Sequence, residues 1–399
     1  MTRESQRAQA VKASPTMAIT ARAAALRREG KDIASLSAGE PDFSVFPHVE
    51  QAVVEALRRG ATKYTASAGG PELREAISDW MQGDFGVRWP AAQIQATAGA
   101  KQALYNACQA ILDEGDEGVI FNPYWVSYPE MVRLASGKPV VIDLRAEDRW
   151  EPREEDLQRA FNERTRILMF GSPVNPTGAV WSEQCLRTIA RVLEKWPRVI
   201  ILSDGIYSRL VFGGVKAPDI VQVAPQLVDR TVVINGCSKA YAMTGLRLGW
   251  ACGPKDIIAA MNKVQDASTS NPSSLSQHAA IAALRGPQQP LEDMRVEFER
   301  RRGIVVELLR GIRGVKCHVP DGAFYVFPDV SALLQKRYKG EPVQTSVRLA
   351  EILLEEFGAA VVPGSAFGRE GFLRLSFATS EAQIRKALER FARFAGALE

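Results

Sequence analysis

Two hydrophobic rhythms alternate along the chain. Segments with helix-like spacing of apolar residues fall at 15–30, 50–59, 71–82, 101–112 and 182–195. Short apolar runs lie among them: Val119–Phe121, Val140–Ile142, Ile167–Phe170, Val199–Leu202, Thr231–Ile234 and Leu248–Ala251. Runs with no polar alternation suit strands buried on both faces, so the pattern predicts an α/β fold whose mainly parallel sheet is covered by helices. The first helix opens near Pro15 or Thr16 and stops before Gly30. A short apolar stretch, Ile33–Leu36, then runs into a polar turn at 38–42.

After about residue 290 the order changes. A long charged helix over 291–310 precedes strand-like Phe324–Phe327, a helix over 345–357, strand-like Ala359–Val362 and Phe372–Phe377, and a last helix over 381–397. This predicts a smaller α+β domain. The expected division is an N-terminal arm that joins the small domain (1–48), a large domain (49–290) and the small C-terminal domain (291–399).

Composition narrows the function classes. The 399 residues are 46% hydrophobic and 24% charged, a globular profile. A net charge of +4 is too weak to argue for nucleic acid, and Arg300-Arg301-Arg302 reads as a solvated helix face. No apolar stretch approaches the roughly 18–20 residues of a membrane span, and the first residues carry no apolar signal core. Five scattered cysteines form no CxxC pair and fit free thiols in a cytoplasmic protein. His48, His278 and His318 lie far apart, so no metal motif is expected.

Ligands of open α/β sheets bind outside the carboxyl ends of strands, and four polar segments stand there. Ser172-Pro173-Val174-Asn175-Pro176-Thr177-Gly178 is a rigid turn that can present the Asn175 amide. Asp204-Gly205-Ile206-Tyr207 sets a carboxylate at the end of a buried strand, where it needs a cation or donors or else caps a helix. The segment Ser238–Gly249 holds Lys239 among small residues, a setting that favours a neutral, nucleophilic amine, although a lone lysine is also a common surface residue. Its Arg247 offers a fork suited to phosphate. Ala98-Gly99-Ala100-Lys101-Gln102 opens a helix, where small residues let an anion approach backbone N–H groups. Each signal is weak alone. Together they match an aldehyde, a phosphate, a ring nitrogen and a hydroxyl, the groups of pyridoxal phosphate.

Nine segments carry a family likeness: SLSAGEPDF (35–43), TKYTASAG (62–69), GAKQALYN (99–106), NPYWVSYPEM (122–131), SPVNPTGAV (172–180), SKAYAMTGLRLG (238–249), PDGAFYVFPD (320–329), VVPGSAFG (361–368) and LRLSFATS (373–380). Across nearly its whole length the chain resembles the class I/II pyridoxal-phosphate aminotransferases of fold type I. It is most similar to the bacterial subgroup Ib aspartate aminotransferases, some of which also act on prephenate. The resemblance implies a mainly parallel seven-stranded sheet with a smaller α+β domain. It implies that Lys239 joins the cofactor aldehyde and moves the substrate proton, that Asp204 pairs with the ring nitrogen, and that Asn175 and Tyr207 bond the 3-oxygen. Trp125 would stack on the ring. Gly99, Ala100 and Arg247 would hold the phosphate, with Ser238 adding a hydroxyl and Lys101 lying alongside. Tyr64 would reach the phosphate of a neighbouring copy, which implies a homodimer. Arg374, helped by the Gly39 backbone amide, would clamp the substrate carboxylate, unless it is a surface ion pair.

Lys101 and Lys12 bear on substrate choice. By resemblance Lys101 meets the distal carboxylate of aspartate or glutamate, or else lines the entrance. Lys12, near Ser14 and Thr16, matches an arm lysine of prephenate-using members, or else is a mobile surface lysine. Ser270 and Asn271 are weaker candidates. The chain departs from the family pattern at Gly171, Gly205, Gly236 and Leu246, which leaves the cavity walls open to reshaping. The implied activity is transfer of the amino group of L-aspartate or L-glutamate to a 2-oxo acid such as 2-oxoglutarate. The alternatives are an aromatic or broad-range aminotransferase, or a lyase or cyclase with the same cofactor.

Overall fold

The computed structural model describes residues 3–12 and 15–399. Seven strands form the central sheet: β1 (Ile94–Thr97), β2 (Glu117–Asn122), β3 (Lys138–Asp143), β4 (Thr165–Gly171), β5 (Ile200–Asp204), β6 (Thr231–Gly236) and β7 (Gly249–Cys252). Their spatial order is β1-β7-β6-β5-β4-β2-β3. Neighbours from β3 through to β6 pair in parallel, and β7 runs antiparallel to both β6 and β1. Six strands therefore point one way and β7 the other. In consequence the start of β7 lies at the same sheet edge as the ends of the others, with Gly249 opposite both Gly236 and Thr97.

Strand β1 was not visible in the hydrophobic pattern, because Gln95 and Thr97 interrupt it. Both are fully buried and bonded internally: Gln95 to Asn262 (2.8 Å) and Asn106 (3.2 Å), Thr97 to the Gly99 carbonyl (3.0 Å). Helices Lys255–Ser268 and Ser274–Arg285 were likewise absent from the sequence reading. The helices it did expect have ordinary local causes. In Glu183–Leu193 the Ser182 hydroxyl caps the Cys185 N–H, and Cys185, Leu186, Ile189, Ala190 and Leu193 form one buried face. Helix Ala100–Ile111 buries Ala103, Leu104, Ala107, Cys108 and Ile111 against the sheet.

The C-terminal part builds a three-stranded antiparallel sheet from Tyr325–Val326, Leu373–Ser376 and Val362–Pro363. The N-terminal segment is stitched to it. Ala34–Ser35 pairs in parallel with Ala359–Ala360, and the Ser376 N–H bonds the Leu36 carbonyl at 2.7 Å. This suspends residues 37–40 over the edge where the large sheet's parallel strands end. Among the described residues no helix is long and apolar enough to cross a membrane, and no group of three or more His, Cys, Asp or Glu could hold a metal ion.

Candidate active site

One cavity of about 730 Å3 opens at that edge, within the size range of small-molecule sites. Asp204, the last residue of β5, lines it and is buried. Its carboxylate accepts the Tyr128 hydroxyl at 2.9 Å and the Ile206 N–H at 3.2 Å. Burial pushes the carboxyl up to about 6, against the pull of those donors and of Lys239. Lys239 stands three residues beyond β6, and its Nζ donates to the Gly39 carbonyl at 2.5 Å. Burial draws the amine down to about 8. Arg374 and Arg247 add to that, while Glu40 and Asp204 oppose it. Such an amine is neutral in a useful fraction near neutral pH.

The anion end is built by close approach. Arg247 precedes β7 and donates to the Thr244 carbonyl at 2.9 Å, with its own backbone held at φ 52°. That conformation costs a non-glycine residue of order 1–3 kcal/mol and is found where a site needs it. A Cβ on Gly99, itself at φ 87°, would stand 2.7 Å from Arg247 Nη2, and one on Gly249 would stand 2.3 Å from the Ala100 nitrogen. Only glycines let strand, guanidinium and helix start meet here. The first N–H groups of helix Ala100–Ile111, which no intrahelical carbonyl can take, border the same cavity.

At the other end Arg374, 3% exposed, projects from Leu373–Ser376. It donates to the Ser37 carbonyl at 2.8 Å and to Asn175 Oδ1 at 3.4 Å, and lies over the Tyr325 and Phe367 rings at 4.6 and 5.0 Å. Its Nε has no hydrogen-bond partner. Among the described residues this buried guanidinium has no carboxylate partner, so it is not the surface ion pair considered from sequence, and a buried cation of this kind can take an anion. Tyr207 shares a 3.0 Å hydrogen bond with Tyr325, and burial raises its phenol far above the usual range. Lys101 Nζ lies 4.8 Å over the Trp125 ring, and Trp125 meets Tyr128 edge-on at 5.5 Å.

Of the main candidates from sequence, Gly39, Ala100, Lys101, Trp125, Asn175, Asp204, Tyr207, Ser238, Lys239, Arg247 and Arg374 line this cavity, whereas Gly99, which backs Arg247, Tyr64 and Lys12 do not. Tyr64 is 90% exposed. Lys12 is exposed, and its backbone N–H bonds Glu130 at 3.2 Å. Ser14 lies outside the described residues. Ser270 and Asn271 do not reach the cavity. Gly39 lines the cavity and its carbonyl accepts from Lys239 Nζ, a contact separate from the substrate role expected of its amide. Sequence reasoning missed Tyr128, Tyr325, Ser37 and Glu40, whose side chain accepts the Thr244 hydroxyl at 2.7 Å. All four lie in the segments carrying the likeness, but nothing in the linear pattern pairs Tyr128 with a carboxylate 76 positions away.

The profile described as aminotransferase class I and II matches residues 31–391. The chain belongs to this family. A class I/II relative from Rhizobium meliloti (strain 1021), named aspartate aminotransferase, is 46% identical over 95% of this chain and 93% of its own length. An aspartate/prephenate aminotransferase of Nitrosomonas europaea is 43% identical over 97% and 98%. Among solved structures of this family, an aspartate aminotransferase from Rhizobium meliloti superposes with a TM-score of 0.97 at 44% identity over the full length of both chains. The Thermus thermophilus aspartate aminotransferase with maleate does so with a TM-score of 0.91 at 44% identity, over 98% of this chain and 100% of its own.

Proposed function

We propose that this class I/II aminotransferase moves the amino group of L-aspartate or L-glutamate to a 2-oxo acid such as 2-oxoglutarate, using pyridoxal phosphate. One observation carries the reading: Lys239 stands in a single cavity with an anion cradle, a buried carboxylate and a buried, carboxylate-free arginine. The donor set fits the cofactor. The Gly99–Ala100 cradle and Arg247 suit its phosphate, Asp204 its ring nitrogen, Asn175 and Tyr207 its hydroxyl oxygen, and the face of Trp125 its ring. When bound, the cofactor supplies an aldehyde that condenses with amines and a ring that withdraws electrons from the adjoining carbon.

The chain's own groups do the rest. Arg374 holds the α-carboxylate in a two-pronged grip. Lys239 Nζ, with its lowered basicity, accepts the proton from the substrate α-carbon and returns it on the far side of the substrate nitrogen, a 1,3 shift, serving as nucleophile and base in turn. Lys101 faces a second carboxylate. The relative solved with maleate, a dicarboxylate, supports a dicarboxylic substrate. Prephenate also bears a second carboxylate, so the naming of the Nitrosomonas europaea relative accords with the same cation. Tyr64, whose side chain is exposed, serves the site of a second copy in a homodimer.

The test is to mix cofactor-loaded protein with single amino acids in the absence of an oxo acid and follow the absorbance. Conversion by aspartate and glutamate, and poorly by others, is expected. Conversion chiefly by aromatic amino acids overturns the dicarboxylate reading, and release of ammonia with the starting spectrum regained indicates a lyase.

A further inference from the structure

We propose that Tyr128 is a positioning residue that keeps the Asp204 carboxylate aimed and charged so that it can face a protonated ring nitrogen. The inference rests on the reading of Asp204 given above.

Among the described residues Asp204 forms no ion pair, and the Tyr128 hydroxyl is the side chain that bonds it. That bond occupies Oδ2, while Oδ1 receives the longer bond from Ile206 N. A buried carboxylate with so few donors is close to taking up a proton, and each donor to the charged form resists this. The titratable groups that face it are Tyr128, Tyr207 and Lys239. Burial holds the Tyr128 phenol far above its usual range, so it remains a donor throughout the working pH range.

The phenol is fixed from three sides. Tyr128 opens helix Tyr128–Leu134 and is buried. Gly171, the end of β4, leaves room for its hydroxyl: a Cβ there would stand 3.0 Å from Tyr128 Oη and 3.0 Å from the Asp204 carbonyl. The Trp125 ring meets the phenol edge-on, 5.5 Å between centroids and 89° between planes. Tyr128 thus braces both the carboxylate and the ring-stacking face, and Gly171, one of the family departures noted from sequence, leaves its hydroxyl uncrowded.

The experiment is titration of cofactor-free protein with pyridoxal phosphate across pH 5.5 to 8.5, following binding by tryptophan fluorescence, for wild type, Tyr128→Phe, Gly171→Ala and Asp204→Asn. Tyr128→Phe is expected to weaken binding about tenfold at neutral pH and to move the acid limb of the profile upward by about one unit. Gly171→Ala, which crowds the hydroxyl without removing it, shifts the limb in the same direction by less and serves as the readout if the phenylalanine variant does not fold. Asp204→Asn is expected to weaken binding and flatten the acid limb. If Asp204→Asn binds weakly but Tyr128→Phe and Gly171→Ala keep the wild-type profile, the role of Tyr128 is overturned and that of Asp204 stands. Wild-type binding by Asp204→Asn overturns the reading of Asp204, and the inference with it.

Discussion

At the sheet end of the cavity, Asp204, Lys239 and Asn175 each stand on or within four residues of a central strand. At the opposite end, Arg374 meets a carbonyl 337 positions away in sequence, and that carbonyl belongs to an N-terminal segment stitched to the C-terminal sheet. The first region is set by strand ends in fixed register, so its groups arrive together once the sheet forms. The second exists only when both ends of the chain have docked. On the proposed reading, the bond-making groups sit on the rigid edge, whereas the grip on the substrate carboxylate is assembled from separate segments.

This contrast can be broken in order of expected effect. Lys239→Ala should reduce turnover to background and abolish the visible absorbance of the loaded protein; steady-state transamination by the variant would remove Lys239 from the chemistry. Arg374→Ala should leave cofactor loading intact yet lower kcat/KM for all amino acids by about 2–5 kcal/mol. A loss confined to cofactor affinity would mean that the two ends are not separate.

Asp204→Asn sharpens the comparison through stability. The folded carboxyl is raised to about 6 from an ordinary value of 3.8, so the folded chain holds more protons than the unfolded one between these values. Stability from this group is therefore full below pH 4 and lost as pH rises through 6. Removing the charge should stabilise cofactor-free protein at pH 7.5 by about 1–3 kcal/mol, read as a higher Tm, with the gain fading near pH 4. A gain independent of pH would show that no charge is being buried. The smallest effect is expected at Lys101, whose side chain is partly open to water. Lys101→Ala should cost aspartate about 1 kcal/mol in kcat/KM and spare a neutral donor. Equal losses for both would mean that Lys101 does not read the distal carboxylate.

The strand-end motifs were legible because each couples an apolar run to a polar turn within a few residues. Asp204 after Val199–Leu202 and Lys239 after Thr231–Ile234 needed no knowledge of distant contacts. Strand β1 was not legible, since its buried Gln95 and Thr97 mimic solvent-facing positions until Asn262, Asn106 and Gly99 appear beside them. The alternatives left open for Arg374 could be resolved only by its burial without a carboxylate partner.

The sequence by itself determined the family, the α/β class and which polar residues stand at the strand ends, because periodicity and local motifs are properties of neighbours along the chain. Tertiary structure alone decided which groups face one another: Tyr128 with Asp204, Tyr325 with Tyr207 and Arg374, and Gly39 with Lys239. It also set the perturbed protonation equilibria of Asp204 and Lys239, since burial and the field of distant charges exist only after the chain has packed.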